Sequence, residues 1–475
     1  MSDESVRADG LKQKRKMRPA LKLLLLIVVP LLVLVIGWMA LDIATGWKLE
    51  AVLADIRARG WPTELTDLYP APIPDSENAA PLYRMALAKE NVSSQETDML
   101  SSLDGWVALS AEQQAKVRAD LTQSAEALEL VHQAAQRPAC DFHLDYRRGY
   151  ETELPHLAAM RSLVRLKNAA VIVALADGRT EEAFSHWLDM VAMVRHEEGQ
   201  QVFICELVRL ACLSVACDTL QGVVQSGQLD AQHVDSALAA LDGLESRQSF
   251  LAGLKGELVL FRKGLESRHL WDVARASVHG QVGWKEYLST VGLRLLERAS
   301  SALYRSALGR PSRRYDQATG LTLLREGILL FEQPLYTVRE RLSQWSERME
   351  EPPWTAPLTR MLLPAFGRLG TVFASAEAWA ACARTGLALE RYRLTHDGYP
   401  ATLDALVPDI LPQVPLDPFD GKPLRYINDG KRVAVYSVGD NLEDEGGSEE
   451  RGRDSPKDIV FTLRPARVEE GGEGR

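Results

Sequence analysis

The longest unbroken apolar stretch in the chain is residues 23–41, LLLLIVVPLLVLVIGWMAL, nineteen positions without a charge. Wound as a helix at about 1.5 Å per residue, it covers most of a hydrocarbon core roughly 30 Å thick, so the pattern predicts one membrane-crossing helix. Pro30 inside the run frees one carbonyl and predicts a kink that tilt or neighbouring structure must absorb. A secretory signal peptide shows the same basic-then-apolar order. Its apolar part is shorter, about 7–15 residues, and ends in a small-x-small cleavage site. Here the run ends in Trp38-Met39-Ala40-Leu41-Asp42, which favours an uncleaved anchor. Residues 49–59 then predict a helix continuing outward, stopped by Gly60-Trp61-Pro62. Pro70, Pro72, Pro74 and Pro81 predict an extended path over 69–81.

From Pro81 to about His396 the chain is rich in Ala, Leu, Glu and Arg with few β-branched runs, broken by short Gly, Asp or Pro signals; this predicts a helical domain. Phe184, Trp187, Leu188, Val191 and Val194 fall on one face of a helix for which Thr180 is the expected N-cap. Residues 169–193 read as helix, Ala-Asp-Gly-Arg turn, helix. One such hairpin resembles a tetratricopeptide unit, but no second copy follows at a fixed period, so a generic helical hairpin is the better reading. Arg310-Pro311-Ser312-Arg313-Arg314 and Glu350-Glu351-Pro352-Pro353 are the clearest internal breaks.

Near Gly398 the period changes. Residues 424–427, 432–437 and 458–463 predict short strands, the first two joined through Asn428-Asp429-Gly430-Lys431, whose Asp-Gly pair suits a tight hairpin. An antiparallel meander is expected. The last residues, from about 467, are Glu/Gly-rich and read as disordered.

Charge adds orientation. Residues 1–22 carry seven basic and three acidic groups, a surplus of +4, so the overall −10 leaves −14 beyond them. A basic cluster ahead of the span, with Asp42, Lys48 and Glu50 after it, predicts a cytoplasmic N-terminus and a body outside the cytoplasm, in a cell inner membrane. An acidic body repels phosphate backbones and argues against a nucleic-acid partner. Five cysteines, Cys140, Cys205, Cys212, Cys217 and Cys382, are too few and scattered for a disulfide framework. On one helix Cys205 and Cys212 stand about 10 Å apart, too far to bridge. An oxidising compartment would permit one pairing that uses Cys140 or Cys382, and buried thiols are the plainer reading. Asn91-Val92-Ser93 has the glycosylation triplet with no context that would use it.

Residues 371–463 resemble the C-terminal half of the major pseudopilin of type II secretion systems. The likeness is carried by ALERYRLTHDGYP (388–400), LDAL (403–406), LPQVPLDPFDGKPLRY (411–426), VYSVGD (435–440) and Asp458-Ile459. The stretches PIPDSENAAPLYRMAL (72–87) and CDFHLDYRRGYETELPHL (140–157) are similar to bacterial single-pass membrane proteins that carry such a tail. The family resemblance implies calcium in the loop before the final strand, here through Asp440, Asn441, Asp444 and Asp458, since a hard cation takes oxygen ligands. Against it, Asn441 and Leu442 stand where that family has Asp-Gly, and an acidic run is also an ordinary solvated loop. The family's Gly-Phe-Thr cleavage signal and the Glu at the fifth mature position are not found before Leu23, which argues against assembly into a pseudopilus by the usual route.

The expected fold class is therefore mainly α: a basic tail (1–22), one transmembrane helix (23–41), a juxtamembrane helix and Pro-rich loop (42–80), a large helical ectodomain (81–370) built as a bundle or irregular hairpins, a small C-terminal α+β module (371–466) and a tail (467–475). The densest polar cluster is His143, Asp145, Tyr146, Arg147, Arg148, Tyr150, Glu151 and His156, whose spacing matches no metal motif. His196-Glu197-Glu198-Gly199-Gln200 begins like a zinc-protease helix but lacks the second His. No nucleophile elbow, phosphate loop or dinucleotide fingerprint is present. Tryptophans such as Trp187, Trp271, Trp345 and Trp379 sit in helical patterns and read as core. These features point to a membrane-tethered scaffold or binding protein with a protein partner outside the cytoplasm. An accessory of a type II secretion or pilus-like system and an unrecognised hydrolase using residues 143–156 are the alternatives.

Overall fold

A single 40-residue helix, α1 (Pro19–Ala58), carries the apolar run and continues past it without interruption, with Pro30 inside. The computed structural model describes residues 19–90, 100, 103–244, 247–266, 302, 304, 306–448 and 458–463. Most of the basic N-terminal stretch, the 91–93 triplet, Trp271 and the 467–475 tail lie outside them. The helix is long and apolar enough to cross a membrane, and nothing of its most apolar window is buried against the rest of the protein. Its second half behaves differently: Val52, Leu53 and Ile56 are buried. Gly60, at φ +70°, stops the helix, with Gly60 N donating to Arg57 O and Trp61 N to Ile56 O. Only a residue without a Cβ adopts that left-handed turn cheaply.

The remaining elements are α2 (Ala80–Leu87), α3 (Leu103–Ala108), α4 (Ala111–Gln123), α5 (Ala125–Ala135), α6 (Pro155–Ala176), α7 (Thr180–His196), α8 (Phe203–Gln225), α9 (Ala231–Leu241), α10 (Arg247–Glu266), α11 (Arg310–Phe331), α12 (Arg339–Glu350), α13 (Pro357–Leu362) and α14 (Leu369–His396). Three strands follow: β1 (Arg425–Asn428), β2 (Val433–Ser437) and β3 (Ile459–Leu463). The protein is thus mainly helical, with one small antiparallel meander in the order β1-β2-β3.

The α6–α7 hairpin forms as its Asp-Gly turn predicts. Gly178 sits at φ +72°, and Arg179 N donates to Ala174 O. Thr180 is the first helical residue and not the cap: Arg179 occupies the N-cap, and the Thr180 hydroxyl is spent on Gln228. The expected apolar face does face inward. Phe184, Trp187, Val191 and Val194 are buried, Trp187 completely, and its indole N–H donates to Ala216 O of α8 at 2.9 Å. Both flagged breaks fall at helix ends: Arg310-Pro311 opens α11, with Pro311 where a missing N–H is harmless, and Pro352-Pro353 separate α12 from α13.

The C-terminal meander does not stand apart from the helices. β1 pairs Tyr426 with Val435, and β2 pairs Val435 with Phe461. Gly430, at φ +79°, supplies the tight turn between the first two strands. The sheet lies on α14, where Gly386 makes room for the Phe461 ring and the Cys382 thiol donates to Ile459 O. Helix α8 closes the outer edge: Gln221 accepts from Thr462 N at 2.9 Å, and Gln225 donates to Thr462 O at 3.0 Å. An edge strand with its N–H and C=O taken by glutamines cannot template a further strand there. One apolar core runs from Val52 through α6–α8 to Leu463. All five cysteines are free thiols, Cys140 half-buried and the others buried.

Candidate functional site

The acidic loop after β2 is built around Tyr436 and three glycines. Gly446 and Gly447 hold φ of +72° and +68°, and Gly447 lies so close to the Tyr436 ring that a Cβ would press on it. Asp444 Oδ1 accepts from Tyr436 Oη at 2.9 Å and from Gly446 N at 3.0 Å. Asn441 is bound within the loop, its amide donating to Glu445 at 2.7 Å and its oxygen accepting from Glu443 N at 3.1 Å. Asp458 is buried. Its Oδ2 accepts from Gly447 N at 2.7 Å, while Oδ1 has no hydrogen-bond partner among the described residues. Burial, with Glu445 and Asp444 near, raises the Asp458 pKa. Asp440 is exposed on the far side of the turn, in the wall of a groove.

Calcium asks for six to eight oxygens gathered at roughly 2.3–2.6 Å. Of the residues singled out, Asp444 and Asp458 share the glycine turn, but Asp440 does not join them. Among the described residues no group of three or more His, Cys, Asp or Glu is placed to hold a metal ion. The Tyr436 hydroxyl and the Gly446 N–H both donate to Asp444 Oδ1, and these hydrogen bonds organise the loop.

The groove that Asp440 enters is the larger concavity. One part, about 240 Å³, is lined by Arg339, Leu342, Gly370, Phe419 and Asp440. A second part, about 260 Å³, shares Leu335 and Pro418 with it and adds Arg247, Glu377 and Arg384. Together they run along the seam between α12, α14 and the 415–419 segment. That segment is held rigidly. Pro415 and Pro418 limit its backbone, and the fully buried Asp417 carboxylate accepts from Val438 N, Phe419 N and Ser437 Oγ, each at 2.9 Å. Gly370 lets the Leu342 side chain approach, and Gly421, at φ +73°, lies against Tyr336. The lining combines apolar Leu335, Leu342 and Phe419 with charged groups of both signs, Arg339 and Asp440 in one part and Arg247, Glu377 and Arg384 in the other.

The 143–156 cluster divides. On the outside exposed His143 pairs with part-buried Asp141, Asp145 with Arg147, and Arg148 with Glu153. On the inside Tyr150 Oη donates to Glu257 at 2.6 Å, and His156 stacks on Phe142 with ring centroids 4.4 Å apart. Of the eight residues only Tyr146 lines the nearby 100 Å³ cleft, so they do not converge on one pocket.

The inward members instead meet residues that spacing along the chain did not mark. His156 Nε2 faces Gln200 Oε1 at 3.1 Å, Gln200 donates to Glu197 Oε2 at 2.8 Å, and the Cys205 thiol lies 3.8 Å from His156. Glu197 Oε1 and His156 Nδ1 are buried without partners among the described residues. Burial pushes the Glu197 pKa up to about 8 and the Glu257 pKa up to about 7, while it lowers His156 to about 4. At neutral pH burial therefore favours a protonated Glu197 and an uncharged His156. The signal that could have marked this cluster is the His196-Glu197-Glu198 triplet at the C-terminus of α7, where Glu197 is buried and Glu198 stays part-open.

No family model, curated protein or solved structure matches the chain.

Proposed function

We propose that the protein is a membrane-tethered scaffold or binding protein whose helical body lies outside the cytoplasm, and that the groove between α12, α14 and the 415–419 segment receives a protein partner. The observation that carries the reading is the division of α1. Its most apolar window has nothing buried, whereas Val52, Leu53 and Ile56 near its other end pack into the core of the body. A core helix of a soluble protein would bury its apolar residues. A segment due for removal would have no need of the rigid continuation through Asp42 to Ala58. The basic groups ahead of the span support a cytoplasmic N-terminus and an inner-membrane location.

Alkaline carbonate washing of membranes, combined with protease protection, tests the tether: the chain should stay in the pellet with its body shielded from cytoplasmic protease. Release into the supernatant would end this reading. Partner binding is tested by capture from detergent-solubilised membranes with the wild-type chain and Leu342→Arg side by side. A partner recovered by both equally would place binding elsewhere.

A second reading, accessory to a type II secretion or pilus-like apparatus, is favoured by one observation: a long helix, α14, followed by a three-stranded antiparallel meander packed across it, the order that the pseudopilin likeness implies. Deleting the gene should then impair protein export, and unaltered export would remove the idea.

A further inference from the structure

Where α1 leaves its apolar run it does not stand free. Trp38 Nε1 donates to Leu308 O at 2.8 Å, and the Arg310 guanidinium lies over the Trp38 ring, 5.5 Å from its centroid. One turn on, Asp42 is gripped from two sides. Arg310 Nη2 reaches its carboxylate at 2.7 Å, and Arg314 Nη1 reaches it at 2.9 Å and Asp42 O at 3.0 Å. Gly46 lets Arg314 lie flat against the helix, since a Cβ there would stand 3.1 Å from its Nη1. The segment 306–314 is thereby fixed in height along α1, and that height can be read off the helix.

Residues 23–41 extend about 27 Å along a helix axis, nearly the full thickness of a hydrocarbon core of roughly 30 Å. Trp38 precedes Leu41 by about 4.5 Å of rise, so it lies at the boundary between acyl chains and headgroups, the level that indole rings favour. Whatever touches Trp38 shares that level. Leu308 does so from the tip of a short turn, 64 % exposed although large and apolar. Arg313 holds the turn from behind through Ser306 O at 2.9 Å. Arg310 and Arg314 keep 48 % and 33 % of their side chains open, and the set of three arginines and one aspartate has a net charge of +2. Trp47, 75 % exposed, lies five residues beyond Asp42 on α1.

We propose that residues 306–314 are a membrane foot of the helical body: Leu308 enters the leaflet from which α1 emerges, and Arg310 and Arg314 take phosphodiester oxygens of its anionic phospholipids. The inference rests on α1 spanning the bilayer. An exposed leucine held at this depth loses its contact with water by entering lipid, and guanidinium groups already oriented by Asp42 offer their remaining N–H donors to phosphate at little entropic cost. The body is thus held to the bilayer by two contacts, the helix and the foot, and cannot swing about the first.

The test uses the full chain with Cys140→Ser and Leu308→Cys, labelled with an environment-sensitive thiol fluorophore and reconstituted in phosphatidylcholine and phosphatidylglycerol vesicles that contain lipid nitroxides near the carbonyl level. A matching label at Val107→Cys, equally open on the short helix that packs against α6, is the control. The Leu308 label should shift to the blue and lose most of its emission, and the Val107 label should do neither. Replacing phosphatidylglycerol with phosphatidylcholine should weaken the quenching, whereas free glycerophosphate should leave it unchanged. Equal behaviour of the two labels in a chain that resists carbonate extraction would overturn the foot and leave the span standing. Release of the chain by carbonate would overturn both. Quenching indifferent to phosphatidylglycerol would overturn the preference of the arginines for anionic phospholipid.

Discussion

Lys167 Nζ stands 2.7 Å from the Asp189 carboxylate, and neither side chain is open to solvent. The pair ties α6 to α7, and the ammonium also donates to Leu128 O of α5 at 2.9 Å. Burial lowers the Lys167 pKa, with Asp189 pulling it back. Removing one member strands the other charge in the core. Lys167→Met should cost about 3–5 kcal/mol, read as a fall in the urea midpoint, although His132 at 3.0 Å remains to face Asp189. The double variant Lys167→Met, Asp189→Leu should recover most of that loss. If the double variant is as unstable as the single one, the pair is not what the charge demands.

Glu197 predicts a pH dependence with a definite sign. Its folded pKa, about 8, lies above the unfolded value, so its contribution to stability is full at low pH and is lost as pH rises toward 8. Glu257 acts the same way up to about 7. His156, lowered to about 4, works in reverse, adding stability as pH rises from 4 to its unfolded pKa. The opposing effects overlap below about pH 6.5, so Glu197 shows most clearly between about 6.5 and 8, at roughly 1.4 kcal/mol per pH unit. Urea unfolding of Glu197→Gln over that range should give a flatter profile than the wild type. An unchanged slope would place the titration elsewhere.

Gly386→Ala sets two effects against each other. In a helix interior the alanine should gain about 0.5–1 kcal/mol. Its Cβ, however, would collide with the fully buried Phe461 ring, an overpacking that costs about 1–3 kcal/mol. The collision should win, lowering the melting temperature, and Phe461→Leu in the same chain should restore part of it. A rise in melting temperature for the single variant would show that the ring yields.

Asp417 offers a local test of the groove wall. Asp417→Ala leaves two backbone N–H groups and the Ser437 hydroxyl without their acceptor, while the Arg425 guanidinium keeps only Asp420 of its two carboxylates. An orphaned buried donor costs about 1–3 kcal/mol. Hydrogen exchange should quicken at Phe419 and Val438 while the α6–α7 hairpin keeps its protection. Uniform loss across the chain would mean that the meander and helices unfold as one unit.

The features legible along the chain were those set by neighbours in sequence. The apolar run of α1, the stop at Gly60-Trp61-Pro62, the α6–α7 turn at Gly178 and the Asp429-Gly430 hairpin all depend on residues a few positions apart. Thr180 shows the limit even there: its hydroxyl was drawn to Gln228, 48 residues away, and the cap fell to Arg179. The closure of β3 by Gln221 and Gln225 spans more than two hundred residues, and no local pattern announces it. The same holds for the Glu197, Gln200 and His156 chain. Periodicity marks which face of α7 is apolar, but only the packing of α6 against α8 shows that the Glu197 carboxylate at its end is drawn inside.

With α1 spanning a bilayer as proposed, its unbroken course into the core has a mechanical consequence. A flexible stalk would let the body tumble, so a partner would meet the groove in any orientation. A stiff rod instead couples the rotation of the body to the rotation of the helix in the bilayer. On that reading the groove would keep a constant elevation and bearing relative to the lipid plane, and the proposed partner, if anchored in that plane, would find it by lateral diffusion in two dimensions.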